Sequence, residues 1–490
     1  MLLGIALATA AVLTAVFAPL SVYLYRTKKL SGQADLNHPL FGLQSHPTIP
    51  GIEGRQKREY RGSETGIISR MTAELPRAIT PHLSELSAAL RVVIVNGPRQ
   101  AGKTTLLHQL HRSQGGTFAS LDERETRMGA HSDPTTFVAQ GNRPLIIDEV
   151  QRGGDDLVLA IKHAVDTEPT PGQFILAGST RFLTVPNLSE SLAGRASIVE
   201  VWPFATAERF GGSVDFCDQL FADARLTLSD PTGSWKRSEY LELACTGGYP
   251  TAVSISGDRA RRSWFSGYLT TIVARDISEF AQIRRAEVLP RLLGIVAARA
   301  GGLAVTADIA RAVGMDEKTV RSYLTYLELV FLVGRLPGWA TSLTTKLTRT
   351  PKLFLTDSGL HAHLAQATPS AFNSPSHPAL GGLVETFVFT ELTRLRSLSE
   401  TSFTLSHFRD REGHEVDFIL ETPDGRVVAI EVKASASPSA KDARNLHWLR
   451  DKLGDRCVAA VLLHLGNQAT SLGNGVLALP VSQLWRGAKV

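Results

Sequence analysis

An α/β architecture built on a parallel sheet is what this 490-residue sequence predicts, and three stretches predict it. Each is a short apolar run ending in a polar motif. Val92-Val93-Ile94-Val95 leads into Asn96-Gly97-Pro98-Arg99-Gln100-Ala101-Gly102-Lys103-Thr104-Thr105. Leu145-Ile146-Ile147 leads into Asp148-Glu149, and Phe174-Ile175-Leu176-Ala177 into Gly178-Ser179-Thr180-Arg181. Strands buried on both faces of a parallel sheet read as continuous apolar runs, and the mixed helical segments between these runs supply the crossovers.

The first motif has the form GxxxxGK[ST]. Its backbone N–H groups curl around a phosphate, Lys103 reaches the β/γ oxygens and Thr104 ligates Mg²⁺. Gly97, Pro98, Arg99, Gln100, Ala101, Gly102, Lys103, Thr104 and Thr105 are therefore the nucleotide-binding candidates. Leu106, Leu107 and Leu110 begin a helix face, which places the phosphates at a helix N-terminus where backbone donors lack partners. Asp148 completes the Mg²⁺ site, and Glu149 polarises the attacking water. ATP with Mg²⁺ is the expected cofactor pair, and hydrolysis the expected chemistry.

Ser179, with Thr180 beside it, is the candidate to sense the γ-phosphate; a plain strand cap is the competing reading. Arg195, after Gly194, is the candidate to stabilise charge on the transferred phosphoryl, in its own subunit or in a neighbour's. A surface salt bridge accounts for it equally well.

The chain is too long for one core and should divide into two or three domains. Hydrophobic residues make up 43%, charged residues 20%, and mean hydropathy is −0.01, which excludes a wholly disordered or membrane-embedded chain. Cys217, Cys245 and Cys457 form no CxxC and suggest a reducing compartment. A net charge of +5 permits nucleic-acid binding without demanding it. Residues 1–25 carry no charge and are followed by Arg26, Lys28 and Lys29. That run is long enough for a membrane tether that leaves the rest of the chain cytoplasmic. An upstream piece added by a wrongly assigned start is the alternative.

The expected division is an anchor and irregular leader at 1–65, the α/β core at 66–205, a helical region at 206–300, a helix-turn-helix module at 301–350 and a last α/β domain at 351–490. In the helical region Arg261, Arg262, Trp264 and Tyr268 share a helix-like segment that either touches nucleic acid or packs. In the module, Ile309, Ala310 and Val313 precede Gly314, and Asp316 caps a helix carrying Val320, Tyr323, Leu324 and Leu327. Its outward Lys318, Thr319, Arg321 and Ser322 would meet DNA; docking another protein surface is the other reading.

The last domain holds a second constellation. Strand patterns at Glu415–Leu420 and Val427–Lys433 flank Gly425, and period two puts Glu431 and Lys433 on one face, near Asp417. This is the D…ExK arrangement of restriction-type nucleases, in which two carboxylates hold Mg²⁺ and a lysine positions water. Glu385, on a preceding helix, is the candidate further carboxylate.

The pieces GPRQAGKTTLL (97–107), LIIDEVQ (145–151), LAGSTRFL (176–183), SLAGR (191–195), GGYP (247–250), KLFLTDSGL (352–360), GGLVETFV (381–388), EVDFIL (415–420) and IEVK (430–433) occur in this order. In them the chain resembles the prokaryotic AAA-type ATPases with a C-terminal DUF4143 domain, over about residues 66–470. The resemblance implies a P-loop ATPase, then a winged-helix region, then a restriction-endonuclease-like domain. Two classes of function follow as expectations. One is an ATP-driven switch or motor on DNA or another nucleic acid. The other is a regulatory ATPase with a protein partner and a non-catalytic last domain. Oligomer formation stays open.

Overall fold

The computed structural model describes residues 75–181, 192, 194–224, 235–277, 286–340 and 349–487. The leader with its uncharged run lies outside the described residues. Among those described, no helix is long and apolar enough to cross a membrane.

The first sheet has five strands: β1 (Val92–Asn96), β2 (Thr117–Ser120), β3 (Leu145–Asp148), β4 (Phe174–Gly178) and β5 (Ala196–Glu200). They lie in the order β2-β3-β4-β1-β5, and every pair is parallel. The alternation within β1 explains why both sheet faces need cover. Val92 and Ile94 join Leu157, Ile161 and Val165 of the helix Gly154–Thr167. Val93 and Val95 join Ile79 and Leu83 beside the helix Thr80–Ala89, with Leu106, Leu107 and Leu110 of the helix Lys103–Gln114. β1 is thus an interior strand, and all three polar motifs lie at the C-terminal ends of the neighbouring strands β3, β4 and β1.

Beyond the core, helices Pro250–Ser254, Asp258–Thr271, Leu289–Ala298, Thr306–Val313 and Glu317–Leu329 form one packing unit. It includes the antiparallel pair β6 (Val333–Leu336) and β7 (Lys352–Leu355). Asp316 caps Glu317–Leu329 by accepting from the Thr319 N–H at 2.9 Å. Helix Asp258–Thr271 runs on into a π-helical turn at Ile272–Asp276.

A second sheet contains β8 (Thr404–Arg409), β9 (Glu415–Glu421), β10 (Val427–Lys433), β11 (Cys457–His464), β12 (Thr470–Ser471) and β13 (Val476–Pro480). The order is β12-β13-β11-β10-β9-β8. β8, β9 and β10 form an antiparallel meander, whereas β10, β11 and β13 run parallel. Helix Leu380–Leu398 covers the face of Val428 and Ile430. Helix Arg444–Leu453 covers the face of Val427 and Ala429.

Packing divides the chain differently from the sequence-based division. Phe216, Leu220, Tyr240 and Leu241, expected in a separate helical region, share a core with Leu383, Phe387 and Val388 of the helix Leu380–Leu398, and with Leu479 and Trp485. β7 lies beyond the expected boundary at 350, yet pairs with β6 and buries Leu353 and Leu355 in the helical unit. Local periodicity marks elements, but which core an element enters depends on non-local contacts.

Candidate functional site

The loop after β1 is shaped by close contact. A Cβ on Gly97 would lie 2.0 Å from the Val201 carbonyl oxygen, so no side chain fits there. Gln100 and Gly102 both have positive φ, 62° and 92°, which turns the loop into the helix Lys103–Gln114. From beneath, the buried Arg77 guanidinium donates to the Ala101 carbonyl at 2.9 Å, the Trp202 carbonyl at 2.6 Å and Glu208 at 3.0 Å. From the helical unit, the Tyr268 hydroxyl donates to the Arg99 carbonyl at 3.3 Å.

Lys103 is buried and donates to the carbonyls of Gly97 and Pro98, both at 2.9 Å. Its ammonium thus lies within the loop that it closes. The Thr104 hydroxyl, at the start of the helix, donates to Asp148 Oδ2 at 2.6 Å across from the end of β3. Asp148 Oδ1 accepts the Glu149 N–H at 3.0 Å. Burial raises the Asp148 carboxyl above its ordinary value, opposed by the Thr104 hydrogen bond. A hydroxyl and a carboxylate side by side at a phosphate loop are the hard oxygen ligands that Mg²⁺ takes, so the residues fit that ion.

Glu149 has left-handed backbone, φ 52°, which turns its side chain away from the strand direction. Its Oε2 accepts from Ser179 Oγ at 3.2 Å and from the Gln151 side-chain amide. Ser179, 3% exposed, follows β4 directly. The two carboxylates, Ser179 and the phosphate loop are therefore contiguous. Pro98, Ala101 and Thr105 complete the loop and the first helical turn.

Arg195 is placed elsewhere, which corrects its expected role within one subunit. It directly precedes β5, whose Ala196 pairs with Val92 and whose Glu200 pairs with Asn96. Arg195 thus lies at the sheet end where β1 begins, opposite the phosphate loop. There it forms a two-pronged pair with Asp166, at 2.5 and 3.0 Å. The strand between the two ends fixes this separation.

Three residues with no motif of their own belong to the site's support: Arg77, Gln151 and Tyr268. Arg77 carries no periodic or spacing signal, Gln151 entered only as the last residue of LIIDEVQ, and Tyr268 stood out only as part of an aromatic and basic segment. Within that segment Trp264 and Tyr268 stack at 5.3 Å and 15°, and Tyr249 and Tyr268 hydroxyls lie 2.9 Å apart. Arg261 donates to the carbonyls of Ala252 and Ile255.

The C-terminal constellation is gathered, with an addition. Lys433 Nζ lies 2.6 Å from Glu431 Oε1, and Asp417 Oδ2 accepts the Val432 N–H at 3.0 Å. Among them stands Lys352 of β7, 1% exposed, at 2.7 Å from Glu415, 3.1 Å from Asp417 and 3.9 Å from Glu385. Burial opposes its charge, but Asp417, Glu385 and Glu415 together hold the ammonium protonated more firmly than usual. Burial, and then the Asp417 charge, push the Glu431 carboxyl up to about 8, and raise Glu385 likewise.

This bears on the expected Mg²⁺ site of Asp417 and Glu431, with Glu385 as the candidate further carboxylate. These carboxylates do not converge as a three-ligand group. A lysine already balances them, so a divalent ion has no fit here. Among the described residues, the group whose ligand atoms do converge is Asp410, Glu412 and His414, on the turn between β8 and β9.

An AAA domain matches residues 90–210, a domain of unknown function, DUF8612, matches 237–371, and another, DUF4143, matches 380–484. The chain thus carries an AAA domain of the P-loop ATPase type followed by a C-terminal DUF4143 domain. Similar curated proteins are two uncharacterized ones from Mycobacterium bovis and Mycobacterium tuberculosis. Each is 27% identical over 441 residues, 89% of this chain and 90% of theirs. Among solved structures, the Thermotoga maritima RuvB Holliday junction branch migration motor aligns over 56% of this chain and 90% of its own. The identity is 19% and the TM-score 0.23. In this AAA-type protein the P-loop ATPase fold is carried by the five-stranded parallel sheet and the loop after β1.

Proposed function

We propose that this AAA-type protein hydrolyses ATP with Mg²⁺ and uses the cycle as a switch acting on nucleic acid. The observation that carries the hydrolytic reading is the 2.6 Å contact between Thr104 and Asp148, with Glu149 next in sequence and held by Ser179. When bound, Mg²⁺ would be held by Thr104 and Asp148 and would neutralise phosphate charge. Lys103 exchanges the Gly97 and Pro98 carbonyls for phosphate oxygens. Glu149 accepts the proton of the attacking water, and Ser179 keeps that carboxylate oriented. Glu149→Gln tests the assignment: nucleotide binding should persist while turnover falls.

The nucleic-acid reading rests on the helix-turn-helix at 306–329 followed by the β6–β7 hairpin, a winged-helix-like order. Lys318 and Arg321 are exposed on its second helix, with Thr319 and Ser322 half-buried between them. DNA or RNA should raise the ATPase rate, and substitution of Lys318 and Arg321 should remove that stimulation. A flat response would sink this part alone.

Lys352 favours a second reading for the last domain. The mixed sheet with Asp417, Glu431 and Lys433 supports a restriction-endonuclease-like fold, and the lysine among its carboxylates supports a non-catalytic one. The protein would then be a regulatory ATPase with a protein partner. A pull-down that retains a partner after nuclease treatment, without nucleic-acid stimulation of turnover, would select it. Arg195, directed away from its own phosphate loop, acts on phosphate only if a neighbouring subunit brings one to it.

A further inference from the structure

The carboxylates of the last domain have a cation of their own. Glu385 comes from the helix Leu380–Leu398, Glu415 and Asp417 from β9, and Glu431 from β10. Lys352 comes from β7, whose Leu353 and Leu355 enter the core of the helical unit while Phe354, on the face that carries Lys352, enters the core of this sheet and its covering helix. The ammonium is therefore delivered by a strand shared between two cores into a pocket whose acids belong to the sheet and its covering helix. Burying such a charge is unfavourable unless partners surround it, and three carboxylates do so within 4 Å.

Two carboxyl oxygens of the pocket are left without a hydrogen-bond partner by Lys352. Glu431 is 6% exposed, and its Oε2 has no hydrogen-bond partner. Glu385 Oε2 is likewise buried without one, 3.9 Å from the ammonium. Oxygen-rich pockets of this kind suit a hard divalent cation once no ammonium fills them.

We propose that the ammonium of Lys352 is the resident cation of this cluster. While it is in place the cluster takes no divalent ion, and its removal turns Glu385, Asp417 and Glu431 into a divalent-cation site. The last domain is then kept metal-free by a residue of β7, the strand it shares with the helical unit. This goes beyond the ATPase reading and does not depend on it.

The test is Mn²⁺ uptake by the full chain without nucleotide, followed by the electron paramagnetic resonance of free Mn²⁺ and by calorimetry. Paired measurements with and without Asp417→Asn separate this cluster from Thr104 and Asp148. The parent chain should show no uptake that depends on Asp417. Lys352→Met should bind one Mn²⁺ at least about tenfold more tightly than the parent, equal to about 1.4 kcal/mol, and Asp417→Asn should abolish that gain. Asp417-dependent uptake by the parent, or no gain in folded Lys352→Met, would overturn the proposal. If Lys352→Met does not fold, Lys352→Met combined with Glu415→Gln removes one charge of each sign and should fold. This double variant must then show the same Asp417-dependent site; its failure to bind Mn²⁺ refutes the idea.

Discussion

Thr104 and Asp148, 44 residues apart in sequence, meet with their side-chain oxygens 2.6 Å apart. The contact joins the helix after β1 to the end of β3, so the two residues proposed to hold Mg²⁺ come from two motifs aligned by the sheet. Lys103→Ala should therefore weaken ATP binding by at least about tenfold, or ~1.4 kcal/mol. Glu149→Gln should leave binding intact and lower turnover by about 10²- to 10⁴-fold, because the amide cannot take a proton. Nucleotide titration and phosphate release distinguish the two. Equal turnover in Glu149→Gln and parent would move the base elsewhere.

Arg77→Ala should destabilise the phosphate loop although Arg77 touches no expected ligand. It removes donors from Ala101, Trp202 and Glu208, and leaves buried acceptors with fewer partners. A loss of about 3 kcal/mol is expected, as for buried hydrogen bonds to a charged group. Denaturant unfolding of the nucleotide-free chain measures it. An unchanged midpoint would show that the loop holds its shape without this support.

Nucleotide binding should alter hydrogen exchange at residues 410–435. The Tyr268 hydroxyl touches the Arg99 carbonyl and the Tyr249 hydroxyl. Gly248, beside Tyr249, donates to Asp357 at 2.8 Å, and Arg394 donates to the same carboxylate at 3.1 Å and to Glu391 at 2.7 Å. Glu391 in turn accepts the Thr206 N–H at 3.0 Å. A coupling of about 1–3 kcal/mol would be reciprocal, so a ligand of the last domain should shift ATP affinity by the same factor. Tyr268→Phe should at least halve the change in protection. Identical exchange with and without a non-hydrolysable analogue, in Glu149→Gln, would leave the two regions independent.

Acid should destabilise the fold partly through His361. Burial lowers its pKa from 6.5 to about 4, and its Nδ1 lies 2.8 Å from the Thr386 hydroxyl. The unfolded chain thus binds a proton that the folded chain refuses between those values. Stability from this group is full above pH 6.5 and falls as pH drops toward 4, by about 3 kcal/mol in the limit. The parent should lose more stability than His361→Gln over that window in urea titrations at fixed pH. Parallel pH profiles would remove His361 as a contributor.

What the sequence determined by itself was local. GPRQAGKTT had to be a phosphate-binding turn because of its glycine, lysine and threonine spacing, and LIIDE a buried strand ending in carboxylates. The continuous apolar run of β1 likewise marked a strand buried on both faces, and period two in β10 put Glu431 and Lys433 on one face. Tertiary structure decided what depends on distant chain segments meeting. It put Arg195 opposite the phosphate loop, because a parallel β5 starts where β1 starts. It carried the helices after 206 into the C-terminal core through Phe216, Leu220 and Tyr240. It also brought Lys352 among Glu385, Glu415 and Asp417. A single lysine at the head of an apolar strand carries no signal of its own, since the charges that make its burial tolerable arrive only when β7 meets β9 and the helix Leu380–Leu398.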